Sequence, residues 1–138
     1  MPIGFQFLCE QKLSVNKSQV ESVISKILSD EKKKLGQVEI IVVNEKQLLE
    51  INVSFLNHDY HTDIITFDNS FLRKVEGELY ISYDYILHSA NRLNISFENE
   101  LYRIIIHGVL HLCGYKDATT KDKELMTKKE DFYLKELI

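Results

Sequence analysis

The segment His107-Gly-Val-Leu-His111-Leu-Cys-Gly114-Tyr-Lys-Asp117 carries three side chains able to bind a metal ion, at a spacing that a helix followed by a tight turn would bring together. Residues four apart on a helix share a face, so His107 and His111 can present two imidazole nitrogens to one cation. Gly114 can take a positive φ, ending the helix and letting the chain turn back so that Asp117 closes a third position. Two imidazoles and one carboxylate suit zinc or a similar divalent ion, and three protein donors leave a coordination position for water or substrate.

The flanking residues strengthen this reading. Ile104 to Leu112 is apolar apart from the two histidines, so the helix must be largely buried, and a buried imidazole without a partner would be costly. The pattern His-x-x-x-His-x-x-Gly-x-x-Asp has the ligand spacing of metzincin proteases, whose general base is a Glu directly after the first His. Here Gly108 stands in that place, which keeps the metal and argues against peptide hydrolysis.

Three blocks together carry a family resemblance: His107-Gly-x-Leu-His111-Leu-x-Gly114-Tyr115, Thr62-Asp63-Ile64-Ile65-Thr66-Phe67 and Gly77-Glu78-Leu79-Tyr80-Ile81-Ser82. In order and spacing the chain resembles the YbeY family of rRNA maturation factors from about Val38 onward. The resemblance implies a single-strand-specific, zinc-dependent endoribonuclease concerned with 16S rRNA 3′-end maturation and ribosome quality control. It also implies one zinc ion, rRNA and the small ribosomal subunit as partners, reached through a ribosomal protein or directly, and no DNA. Two positions depart from the family pattern. Asp117 stands, after the unusual Lys116, where a third His is common, making the donor set one unit more negative. Leu56 takes the place of an Arg thought to assist catalysis, removing a charge-assisted phosphate contact that His58, at a family Lys position, can replace only in part.

Composition bounds the alternatives. The 138 residues suffice for one compact domain spanning residues 1–138, and no apolar run approaches the ~20 residues needed to cross a bilayer. Cys9 and Cys113 form no evident disulfide framework; with no secretory signal, reduced thiols in a cytoplasmic protein are expected. Cys113 follows His111 by two positions and points to another side of the helix. The net charge of −4 opposes broad nonspecific binding to nucleic acid. Local cations still exist in Lys32-Lys33-Lys34, Arg73-Lys74, Arg92, Lys121 and Lys123, although the lysine run can equally complement a helix C-terminus.

The elements that must position these residues follow from periodicity. Ile3 to Cys9 reads as a strand. A helix capped by Ser18 and Glu21 buries Val20, Val23, Ile24, Ile27 and Leu28 and stops at Gly36. Val38 to Val43 reads as a strand and Glu45 to Ser54 as a helix. Asp63 to Phe67 and Glu78 to Ser82 are strands joined by a loop over the site containing Asp68, Asn69 and Ser70. Tyr83, Ile86, Leu87 and Ala90 mark a third helix, and Ser96 caps the metal helix from Phe97. A last helix starts near Lys121 with Leu125, Met126, Phe132, Tyr133 and Leu137 inward. The expected fold class is α+β: a single domain with a small mixed sheet of about four strands, about five helices, and the metal helix near the centre.

The expected chemistry is metal-assisted phosphodiester hydrolysis, with His107, His111 and Asp117 holding an ion that lowers the pKa of water toward neutrality. His58 and Asp63 are the catalytic candidates for a general base, with Asp59 and His61 behind them, and Glu78 matches an acidic family position. Thr62, which the resemblance places on a strand beside the cleft, and Arg92 are the substrate-binding candidates. Two other readings stand beside this one: a ribosome-assembly factor with a mainly structural zinc site, and a metallohydrolase of peptides or small molecules.

Overall fold

Stretches of β-branched residues alternate with amphipathic stretches to give nine elements in the computed structural model, which describes residues 3–11, 15–58 and 62–137. The order is β1 (Ile3–Phe7), α1 (Lys17–Asp30), β2 (Lys34–Val43), α2 (Glu45–Leu56), β3 (Ile64–Asp68), β4 (Lys74–Ser82), α3 (Tyr83–Leu93), α4 (Phe97–Leu112) and α5 (Thr120–Leu134). The strands form one mixed sheet in the order β1-β2-β4-β3; β1, β2 and β4 are parallel, and β3 pairs antiparallel to β4 at the edge. This is the α+β class with four strands and five helices.

The two faces of the sheet are covered unequally. Val38, Ile40, Val42, Val75, Leu79 and Ile81 point to the side on which α1, α4 and α5 pack, forming the main core with Ile24, Ile27, Ile105 and Leu110. Each of those fully buried aliphatic side chains contributes about 1.5–3 kcal/mol by leaving water. On the other face Ile41, Val43 and Ile65 pack against α2, through Leu48 and Ile51. Burial of Ile104, Ile105, Ile106, Val109, Leu110 and Leu112 makes α4 the central helix.

Local signals differ from the sequence expectation at several ends. Helix α1 is capped by Asn16, whose side chain accepts from the Gln19 N–H, two residues before Ser18. It ends at Asp30 with Lys32 at φ 57, so Gly36 is no helix stop and instead lies within β2, at the register shift against β4. Lys34 opens β2, which takes it out of any helix-terminal role. The connection after β3 is no free loop: the Asn69 and Glu76 backbones and the Ser70 hydroxyl extend the β3–β4 hairpin. Leu87, Leu125 and Phe132 face outward at 41%, 46% and 53% exposure. Phe132 instead carries the Lys26 ammonium over its ring.

Candidate metal centre

Helix α4 begins where the Ser96 hydroxyl accepts the Asn99 N–H, as the sequence predicts. Its middle is pressed onto the sheet at Gly108, where an added Cβ would come within 2.9 Å of both Leu79 Cδ atoms and 3.0 Å of Ile64 Cδ1. A larger residue there, glutamate included, would have to displace those side chains, so packing as well as sequence disfavours a protease-type general base at this position. The helix ends at Cys113 in a double bond pattern: Gly114 N–H donates to His111 O and Tyr115 N–H to Leu110 O, with Gly114 at φ +107. Nothing lies within 4 Å of a Cβ placed at Gly114, so its backbone conformation and not space calls for glycine.

This turn returns Asp117 to the histidines. The two Nε2 atoms lie 3.0 Å apart, and Asp117 Oδ2 is 3.4 Å from that of His107 and 3.5 Å from that of His111. Tetrahedral zinc bonds of 2.0–2.2 Å imply donor separations of about 3.3 Å, so the triangle has the size that such an ion requires. The proton inventory agrees. His111 Nδ1 lies 2.9 Å from the Tyr115 carbonyl, which can only accept, so this nitrogen carries the hydrogen. His107 Nδ1 lies 2.6 Å from Glu130 Oε2 and donates to it. When neutral, each ring therefore turns an Nε2 lone pair toward the Asp117 carboxylate, an arrangement that suits a bound cation.

Glu130 is the site residue that sequence reasoning missed. It is 8% exposed on α5, and its other oxygen accepts from Arg103 Nη1 at 3.2 Å, while Arg103 Nη2 reaches Asp131 at 3.0 Å. Burial works against the His107 imidazolium, but the hydrogen bond and charge of Glu130, with Asp117 and Asp63, outweigh it and raise the His107 pKa above the ordinary histidine value. Cys113 lies outside the donor cluster. Burial, helped by the Glu31 charge against that of Lys33, pushes its thiol up to about 11, so it stays protonated.

The three donors open onto a cleft of about 400 Å³ lined also by Thr62, Asp63, Ile64, Thr66 and Asp68. Ile64, Thr66 and Asp68 alternate along β3 and so share the face toward α4. The structure thus brings Thr62 and Asp63 to the donors; the Thr62 hydroxyl meets Asp63 Oδ1 at 3.3 Å and the Ile64 carbonyl at 3.4 Å. It does not bring His58 or Arg92. His58 is exposed just past α2, Arg92 is exposed in the last turn of α3, and neither lines the cleft. Asp59 and His61 lie outside the described residues. Glu78 sits on β4 between Gly77 and Leu79, on the α2 side of the sheet, where the Tyr80 hydroxyl meets it at 3.3 Å. Leu56 closes α2 at 39% exposure.

Comparison with known proteins agrees with this geometry. The family model described as Endoribonuclease YbeY matches residues 6–138. Curated relatives carrying that name include a Flavobacterium psychrophilum protein, 41% identical over 96% of this chain and 94% of its own length. Another, from Cytophaga hutchinsonii, is 42% identical over 83% of this chain and 81% of its own. Among solved structures, the solution structure of TM1509 from Thermotoga maritima superposes with a TM-score of 0.63 at 30% identity, covering 97% of this chain and 87% of that one.

Proposed function

This chain belongs to the Endoribonuclease YbeY family, and from that premise we propose that His107, His111 and Asp117 hold one zinc ion with which the protein hydrolyses RNA. It is a metal-dependent endoribonuclease of rRNA maturation. The finer reading is that residues 1–138 act as a single hydrolase domain in the cytoplasm, on single-stranded RNA at the 3′ end of 16S rRNA, with the small ribosomal subunit as partner. No described helix is long and apolar enough to cross a membrane, in keeping with that placement.

The observation that carries the zinc assignment is the triangle of two Nε2 lone pairs and one carboxylate oxygen, 3.0–3.5 Å on each side. A bound ion would supply Lewis-acid chemistry, acidifying water and neutralising charge on a phosphodiester. The chain's own residues do the rest. Glu130 and the Tyr115 carbonyl fix both imidazoles with Nε2 toward the cleft. Thr62 and the β3 face, at Thr66 and Asp68, position an extended substrate across the donors. Asp63, which lines the cleft with the donors, takes a proton from water in this reading, and His58 and Arg92, outside the cleft, have no part in it.

A second reading rests on the resemblance, which implies a catalysis-assisting arginine at the position held here by Leu56; its replacement would suit an assembly factor with a structural ion. One assay separates the two. Zinc-dependent cutting of a structured RNA, abolished by His111→Ala while the circular dichroism spectrum persists, is the expected result. Retained co-sedimentation with the small subunit and no cutting by either protein would favour the assembly factor.

A further inference from the structure

The cleft poses an electrostatic problem: among the described residues it is lined by Asp63, Asp68 and Asp117 and by no lysine or arginine, yet its substrate is a polyanion. The missing positive charge lies at the near end of β3. Lys34 pairs with Lys74 across the β2–β4 ladder, and the Lys34 N–H donates to the Arg73 carbonyl at 2.7 Å. The backbones of two cationic runs separated by some forty residues in sequence, Lys32 to Lys34 and Arg73 to Lys74, thereby meet at one end of the sheet, with Lys34 and Lys74 on the face that carries α2. Lys74 is taken up by Glu76 at 3.1 Å, but Lys32, Lys33, Lys34 and Arg73 form no salt bridge among the described residues.

The hairpin tip adds an aromatic ring. Phe71 and Lys74 exchange both backbone hydrogen bonds at 3.0 Å, closing the turn, and Leu72 within it takes φ 55, a conformation ordinarily left to glycine. That closed turn holds Phe71 out at 74% exposure, paired with Lys74 on the α2 face of the hairpin tip. From Asp68 in the cleft to Phe71 is three residues, at most about 10 Å of extended chain.

We propose that Phe71 and the Lys32, Lys33, Lys34 and Arg73 cations form a subsite for single-stranded RNA flanking the cut, with a base stacked on Phe71 and the backbone phosphates on the cations. The proposal rests on the RNA-hydrolase reading for its substrate class and extends it to where the strand goes as it leaves the cleft and rounds the hairpin tip. An aromatic face beside basic side chains is the combination that binds single strands without sequence preference.

The test is fluorescence anisotropy of a labelled single-stranded oligoribonucleotide over a salt series, using the full zinc-loaded chain. Phe71→Ala, which removes an exposed ring, is expected to weaken binding about tenfold. The Lys32→Gln, Lys34→Gln, Arg73→Gln triple variant is expected to lower the slope of log affinity against log salt by about 2, three contacts at about 0.7 each. Unchanged affinity and slope in both variants would overturn the subsite. So would an equal loss in a charge-matched control, Lys17→Gln, Lys46→Gln, Lys135→Gln. Intact RNA binding with lost co-sedimentation with the small subunit would also overturn it, identifying the patch as a protein-docking surface. Repeating the series in Asp117→Ala separates the two proposals. Patch-dependent binding there supports the subsite even if no cleavage is ever found, and His111-dependent cleavage with no patch effect leaves the hydrolase and overturns the subsite.

Discussion

Helices α4 and α5 contribute to the same centre in opposite ways. Helix α4 is apolar on nearly every side, so its two imidazoles stand out and their four-residue spacing advertises a ligand pair. Helix α5 is mostly polar and exposed, and it contributes one buried carboxylate, Glu130, that holds His107 without reaching the ion position. A donor is recognisable from its own neighbours in sequence. The group that orients a donor is recognisable only once two helices far apart in the chain have packed.

Substitutions on the two helices should grade accordingly. The largest effect is expected from His107→Ala, which removes a donor and strips Glu130 of one of its two partners. The ion should be lost, and the metal-free protein should also lose about 1–3 kcal/mol in a urea titration. Equal metal-free stability of variant and parent would show that the α4–α5 contact carries no weight. Glu130→Gln is next. It keeps the shape but gives up the charge, and a competition titration should show zinc affinity reduced about 10- to 100-fold with the one-ion stoichiometry kept. Affinity within a factor of two of the parent would reduce Glu130 to a helix-docking residue.

Gly108→Ala probes α4 alone. Its methyl group meets Leu79 and Ile64 at 2.9–3.0 Å, so a loss of about 1–3 kcal/mol is expected on chemical denaturation, whereas an unchanged midpoint would mean that the sheet yields easily. The smallest effect is the pH dependence of the metal-free protein. His107 has its folded-state pKa raised above the unfolded value of 6.5, so its contribution to stability is fully present below pH 6.5 and fades as pH rises through the folded pKa. Thermal melts across that window should show the parent declining relative to Glu130→Gln; parallel curves would break the pairing.

The same contrast explains what could be read in the sequence. The strand cores, the Ser96 cap, the buried face of α1 and the gathering of His107, His111 and Asp117 follow from short-range spacing and were all legible. Helix ends were less so, because Asn16 caps as well as the serine two residues later. Leu125 and Phe132 are hydrophobic yet face outward, so residue type alone does not give direction on α5. The buried side of α5 is Met126, Glu130, Tyr133 and Leu134, with a glutamate among apolar and aromatic residues. That charged member of an inward stripe was the available signal for Glu130. Asp68 and Thr66 were legible only as strand and loop, since their place in the cleft depends on β3 lying at the sheet edge beneath α4.

The account turns on three side chains gathering a single cation, and counting bound ions tests it most directly. Titrating metal-free protein with zinc, with elemental analysis of the product, should give one ion per chain for the parent and none retained by Asp117→Ala after desalting. One tightly held ion in both proteins would contradict the account by removing Asp117 from the donor set.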